Sequence, residues 1–213
     1  METFNLTGNS RSEVGRKNAK ELRNDSKIPC VVYGGKSNIH FSVGQLAIRD
    51  LIYTHKFYKV ALDVDGDKRE CIVKDIQFDA VTDKIKHVDF QELVPGKPVK
   101  AEIPIFTVGN SIGVFEGGAL MQKTRKLSVK ATPEDLVGSI EVDVTDLVLG
   151  KSIKIGDIDA GKLEILNSPN IPIASVEIPR AVKSAQAAED AAESAEGEAA
   201  VEGEAAAEGE AKA

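Results

Sequence analysis

The sequence predicts a mainly β protein with short helices, an α+β chain of two β-rich domains followed by an acidic tail. Three observations predict it. Trp is absent from the 213 residues and aromatics make up 5% of them, so the core must be built mostly from Val, Ile and Leu, which favour pleated structure. Short runs of alternating apolar and polar residues recur along the chain, divided by Gly, Pro, Asn and Asp. At Ala181 the composition shifts abruptly to Ala, Glu and Gly.

Residues 2–7 alternate, with Phe4 and Leu6 on one face, and open the first strand. A short basic helix follows, with Ser12 as its N-cap and Val14, Ala19 and Leu22 on its packing side. Pro29 blocks helical continuation and sits at the start of a strand over 28–33, which Gly34-Gly35 turns into a second strand over 38–42. Ser42 and Gln45 form the capping-box pattern S-x-x-Q for a helix over 43–54. Two alternating strands, 57–65 and 68–77, flank Asp65-Gly66-Asp67, a strong hairpin signal. A last strand spans 84–93, KIKHVDFQEL. Six strands and two helices in 1–94 predict a compact domain, an antiparallel six-stranded β-barrel or twisted sheet.

VPGKP at 94–98 reads as a boundary. Beyond it, strands are expected over 99–108, 111–115, 125–131, 139–144, 152–155, 163–166 and 171–178, with Gly and Pro turns between them. That pattern predicts a second, all-β domain over 95–180. The segment 181–213 cannot bury enough apolar surface to fold alone and is expected to be a disordered acidic tail.

The charge is unevenly spread. Residues 181–213 carry nine acids and two lysines, which account for the whole net charge of −7, and the first 180 residues balance. Residues 1–60 hold ten Lys or Arg against five Asp or Glu, so an acidic protein has a basic N-terminal third. Cys30 and Cys71 lie in apolar runs, as buried free thiols of a reducing compartment do. The opening METFNLTG has no basic or apolar leader region, and no apolar run approaches the roughly 18–20 residues a membrane span needs. A cytoplasmic protein without a membrane partner is expected. Neither a nucleophile elbow, nor a Walker motif, nor HExxH occurs, and His40, His55 and His87 show no paired spacing. Asp63, Asp65 and Asp67 begin like a calcium loop, but Lys68 and Lys74 stand where it needs Gly and Glu. No catalytic residue, metal, cofactor or small-molecule substrate is therefore read.

The stretch 11–35 carries the functional signal. Counted from Val14 at about 100° per residue, Arg16, Lys20 and Arg23 fall near 200°, 240° and 180°, a single stripe. With Arg11 and Lys17 beside them, these cations suit a polyanion, although a solvated surface helix has the same composition. Tyr33, next to the two glycines, could offer a ring or hydroxyl to a nucleotide, and Lys36 extends the positive surface. His87 and Asp89 share one side of their strand and could read groove hydrogen-bonding groups. Glu21 interrupts the basic run, near 340°, where it could pair with Lys17 one turn earlier.

The motifs RSEVGRKNAKELR (11–23), IPCVVYGGK (28–36) and KIKHVDFQEL (84–93) resemble the N-terminal domain of the bacterial large-subunit ribosomal protein family that binds 5S rRNA. FEGGALMQ (115–122) and IEVDVTDLVLGKSIKIGDI (140–158) resemble the second domain of that family's long form, the general stress protein of Ctc type. The resemblance covers about 180 residues. It implies a non-catalytic RNA-binding protein whose N-terminal barrel, similar to the anticodon-binding domains of a glutaminyl-tRNA synthetase, docks on an internal loop of 5S rRNA. It further implies that Arg11, Arg16, Lys17, Lys20 and Arg23 meet the phosphate backbone and that Tyr33, His87 and Asp89 lie at or near the RNA groove. The implied partners are 5S rRNA, the large subunit and neighbouring ribosomal proteins. A stress-induced protein–protein module that merely anchors through its N-terminal domain is the other reading the sequence leaves open.

Overall fold

The structure, a computed structural model, describes residues 1–35, 37–158, 161 and 163–179. The expected tail beyond 180 and Lys36 lie outside the described residues. The fold is mainly β with three short α-helices and a closed six-stranded barrel at the N-terminus.

The barrel comprises β1 (Thr3–Ser10), β2 (Lys27–Tyr33), β3 (Ile39–Gly44), β4 (Lys59–Val64), β5 (Asp67–Phe78) and β6 (Ile85–Glu92). They close in the order β1-β3-β2-β6-β5-β4. The all-antiparallel expectation is corrected, since β1 pairs parallel with β4, and β2 parallel with β6. Helix α1 (Arg16–Asn24) lies in the connection between β1 and β2, and the two parallel pairs are the seams where the antiparallel unit β1-β3-β2 meets the antiparallel unit β6-β5-β4. The connection through α1 brings β2 back in the direction of β1, and β3 fills the slot between them antiparallel to both. The Asp65-Gly66 hairpin forms as expected, with φ of 51° and 95° at its two central residues, the type I′ pattern.

Every second residue of these strands enters one core, including Leu6, Cys30, Val32, Val60, Leu62, Val88 and Phe90. Phe41 and Phe90 meet there at a centroid separation of 5.7 Å. A Cβ on Gly8 would sit 2.6 Å from the Phe41 ring, so β1 crosses that ring only because residue 8 is glycine. Helix α2 (Gln45–Ile52) plugs one end of the barrel with Ile48 and Leu51.

Both expected N-caps are corrected. Helix α1 begins at Arg16 behind Gly15, with no side-chain cap, so Ser12 does not cap it and Val14 lies before the helix, 64% exposed. Strand β3 runs on to Gly44, which places Ser42 opposite Asn9 and Pro29 in the sheet and leaves the S-x-x-Q box unformed. Core demand on Phe41 and Val43, at spacing two, outweighs a cap worth about 1 kcal/mol.

Beyond the barrel, β7 (Val99–Val108), β9 (Lys126–Ala131), β10 (Ile140–Asp143) and β12 (Glu164–Ile165) form a sheet in the order β10-β7-β9-β12. Its buried face alternates cleanly along β7 through Val99, Ala101, Ile103 and Ile105. β8 (Ala119–Gln122), β11 (Ser152–Lys154) and β13 (Pro172–Glu177) form a second sheet in the order β11-β13-β8. The strand expected over 111–115 is instead a single helical turn, α3 (Ile112–Phe115), capped by Ser111, whose hydroxyl accepts from Val114 N–H. Strand β8 has no counterpart in the sequence reading. The compact units are Met1–Thr107 with Thr124–Val142 and Lys154–Ile171, and Val108–Lys123 with Asp143–Ile153 and the stretch from Pro172.

Candidate nucleic-acid interface

Helix α1 lies along β2 by its Ala19 and Leu22 side, both half-buried, and exposes Arg16, Lys17, Lys20 and Arg23. No residue of this helix is fully buried, so its docking rests on a shallow contact and on Arg23. Arg23 Nε donates to the carbonyl of Lys86 at 3.0 Å, pinning the last turn of α1 to β6 one residue before His87. Among the described residues, Arg16, Lys17 and Lys20 have no hydrogen-bond or ion-pair partner, and Glu21 makes no pair with Lys17. Three uncompensated cations therefore face solvent.

Arg11 is placed differently. Its backbone N–H donates to His40 O at 2.9 Å, which ties the lead-in of α1 to β3. Its guanidinium is half-buried and its Nε lacks a hydrogen-bond partner. Arg11 is not part of the helical stripe.

Tyr33, His87 and Asp89 share one outer wall of the barrel. His87 Nδ1 donates to Asp89 Oδ1 at 2.6 Å, with both side chains about three-quarters buried. That bond fixes the imidazole and leaves Nε2 as the outward group, an acceptor when the ring is neutral. Tyr33, on the neighbouring parallel strand, faces Gln91 in register. Partial burial raises its phenol pKa, and the Asp89 and Asp75 carboxylates raise it further, so its hydroxyl remains a donor.

Register shows what sequence reasoning missed. Across β3, β2, β6 and β5 a single row runs His40, Val31, Asp89, Asp75, and Gln77 stands opposite His87. Asp75, Gln77 and His40 are exposed on this wall. The D-x-Q spacing of Asp75 and Gln77 was the available signal. The β5–β6 pairing shifts register between Val73 and Asp75, which sets their phase and cannot be read from one strand. The wall thus combines a cationic rim with a centre of carboxylate, amide, imidazole and phenol groups. In protein–nucleic acid interfaces, cations suit phosphates, and groups like the central ones suit base and ribose edges.

Residues 6–90 match the Ribosomal L25p family, and residues 98–180 match the C-terminal domain of ribosomal protein TL5. The large ribosomal subunit protein bL25 of Cytophaga hutchinsonii is 43% identical over 188 residues, covering 88% of this chain and 98% of that protein. The chain belongs to the bL25 family of large ribosomal subunit proteins. The bL25 proteins of Porphyromonas gingivalis and Amoebophilus asiaticus are 41% and 39% identical, covering 87% and 88% of this chain and 97% and 95% of theirs. The family is not enzymatic. No described helix is long and apolar enough to cross a membrane.

Proposed function

We propose that this ribosomal protein binds 5S rRNA through residues 1–94, and so helps assemble or stabilise the central protuberance of the large subunit. The observation that carries the reading is the set of unpaired cations on α1, pinned through Arg23 beside the His87–Asp89 pair. Arg16, Lys17 and Lys20 neutralise phosphates, with Arg23 at the edge of the groove. Tyr33, His87 and Asp89 meet the groove itself, joined by Asp75 and Gln77. The protein is cytoplasmic and ribosome-associated. Residues 95–180 meet neighbouring ribosomal protein or RNA.

The second reading, a stress-induced protein–protein module, is favoured by one feature, the exposed apolar residues Ile112, Val114 and Phe115 of α3. A gel shift of the full chain on 5S rRNA across a salt series separates the two. Binding that weakens with salt at a log–log slope of roughly −0.7 to −0.9 per phosphate contact is expected. Lys20→Ala should reduce the slope's magnitude by about one. Arg23→Ala should weaken binding further, because it also frees the α1 end from β6. Salt-independent binding, or binding untouched by both substitutions, would favour the protein–protein module.

A further inference from the structure

At one end of the barrel, beyond the wall described above, lies an open groove of about 810 Å³. Its floor is made where α1 turns into β2. Ser26, at a left-handed φ of 58°, accepts through its carbonyl from Gln45 N–H at 3.0 Å, and Lys27 pairs with Gly44. Its side is α2. That helix sends Ile48 and Leu51 into the core and leaves Leu46, Arg49 and Tyr53 at spacing i, i+3, i+7 on the opposite stripe. Leu46 is 81% exposed and Tyr53 58%, so a Leu and a phenol ring face solvent together without a cover.

We propose that this groove receives one unstacked nucleotide of the bound RNA, an inference that rests on the RNA-binding reading above. The lining is the chemistry a nucleotide needs. Tyr53 and Leu46 give flat apolar surface for a base face, the Gln45 amide and Ser26 hydroxyl can reach base edges, and Arg49 suits the phosphate. The charge agrees. Among the described residues Arg49 and Lys27 have no acidic partner, and neither Asp25 nor Asp50, the nearest acids in the chain, lines the groove. Two large apolar side chains beside one uncompensated cation suit one base better than a peptide helix, which needs a longer apolar track.

Position agrees as well. Ser26 follows Arg23 by three residues, and Ile85, which also lines the groove, precedes the Lys86 whose carbonyl holds Arg23. An RNA strand whose phosphates follow the α1 stripe is led to this opening.

The absence of Trp from the chain supplies the test. In the full-length protein, Tyr53→Trp gives a single reporter whose emission should be quenched as 5S rRNA is added, saturating with the gel shift. Tyr53→Ala should weaken binding about tenfold with the salt slope unchanged, and Tyr53→Phe should restore it, since a stacked base needs the ring. Leu46→Ala is the independent second variant, with a several-fold loss expected. RNA binding with unchanged Trp emission and wild-type affinity for Tyr53→Ala and Leu46→Ala overturns this inference alone. Quenching by self-association or by a ribosomal protein, with no response to RNA, also overturns it. Failure of the wild-type chain to bind 5S rRNA overturns this inference together with the function it rests on.

Discussion

The barrel and the three-stranded sheet with α3 expose opposite kinds of surface. The barrel is closed, so every strand has two neighbours and no backbone edge is free. What it offers a partner is side chains at fixed register positions, cations and hydrogen-bonding groups. The three-stranded sheet is open, with β8 at one edge carrying Leu120 and Met121 38% and 47% exposed, and α3 beside it in sequence exposes Phe115 at 78%. Closure gives a rigid polar platform suited to reading a nucleic-acid groove. An open edge with apolar side chains suits contact with protein.

The largest expected effect tests whether the barrel is an independent platform. Phe41→Ala removes a ring that packs against Phe90 and Gly8 and should cost about 3–5 kcal/mol in urea unfolding. Ile173→Ala, at a fully buried site in the central strand β13, should cost about 2–5 kcal/mol. The two cysteines distinguish where each loss is felt. Cys30 and Cys71 both lie in the barrel core, where burial pushes their thiols up to about 12. They stay protonated near pH 8 and are alkylated only when the barrel opens. Phe41→Ala should accelerate labelling strongly and Ile173→Ala should not. Equal acceleration would mean that the two regions open as one, and the contrast between them would be only one of surface.

A smaller effect concerns how each region holds itself by charge. Arg69 donates to Glu92 at 2.8 Å, to Asp67 at 2.9 Å and to the carbonyl of Ser37 at 3.3 Å, joining β5, the end of β6 and the β2–β3 connection. Gly35 lets that connection pass, since a Cβ there would fall 2.0 Å from the Glu92 carboxylate. Removing Arg69 strands a mostly buried Glu92, so Arg69→Ala should cost about 1–3 kcal/mol by thermal or urea unfolding. In the three-stranded sheet, the Lys123–Glu177 pair is about half exposed at both ends. Lys123→Ala should change stability by less than about 1 kcal/mol. Similar losses in the two variants would remove the distinction between a clamped region and a loosely tied one.

The contrast also marks what the sequence could reveal. Strong alternation made β4, β5 and β7 legible, and the Asp65-Gly66 turn fixed its own hairpin. The cationic side of α1 was legible from helical spacing, because 100° steps need no knowledge of neighbours. Features set by tertiary pairing were hidden. Ser42 reads as a cap until β3 is known to continue past it between β1 and β2. Ser111–Phe115 alternates like a strand, yet it forms a turn. There Gly113 lies so close to the Leu149 backbone that a Cβ would come within 2.7 Å of its nitrogen. β8 is ALMQ, with no period-two pattern, since three of its four residues are exposed on an edge. On the outer wall of the barrel, His87 and Asp89 were legible as an i, i+2 pair within one strand. Asp75 and Gln77 were not, because a register shift decides which way β5 turns them.

The smallest effect compares two turns, one between β5 and β6 of the barrel and one at the end of β10, through pH. Asp79, between β5 and β6, accepts from Lys86 and from the N–H groups of Val81 and Thr82, in that order of influence, which holds its carboxyl far below the usual carboxylate range. Asp143, the last residue of β10, is lowered by the hydroxyl and then the N–H of Thr145 alone. In both cases the folded pKa lies below the unfolded value near 4, so on acidification the unfolded chain takes up the proton first. Each contribution is therefore complete above that value and is lost as pH falls toward the folded pKa. Asp143 is exposed and the Asp79 side chain is 28% exposed, so salt screens both effects, that of Asp143 more. Asp79 has three donors from two directions and should show the steeper loss. Asp79→Asn should flatten the decline in stability between about pH 4 and pH 2 more than Asp143→Asn does, as read by urea midpoints at each pH. Asp79 pairs with Lys86 of β6, whose carbonyl holds Arg23, so Asp79→Asn should also loosen α1 slightly and weaken RNA binding at neutral pH, an effect Asp143→Asn should lack. If the two variants behave alike in both measurements, the β5–β6 turn does not help to hold the cationic helix, and the pinning of α1 rests on Arg23 alone.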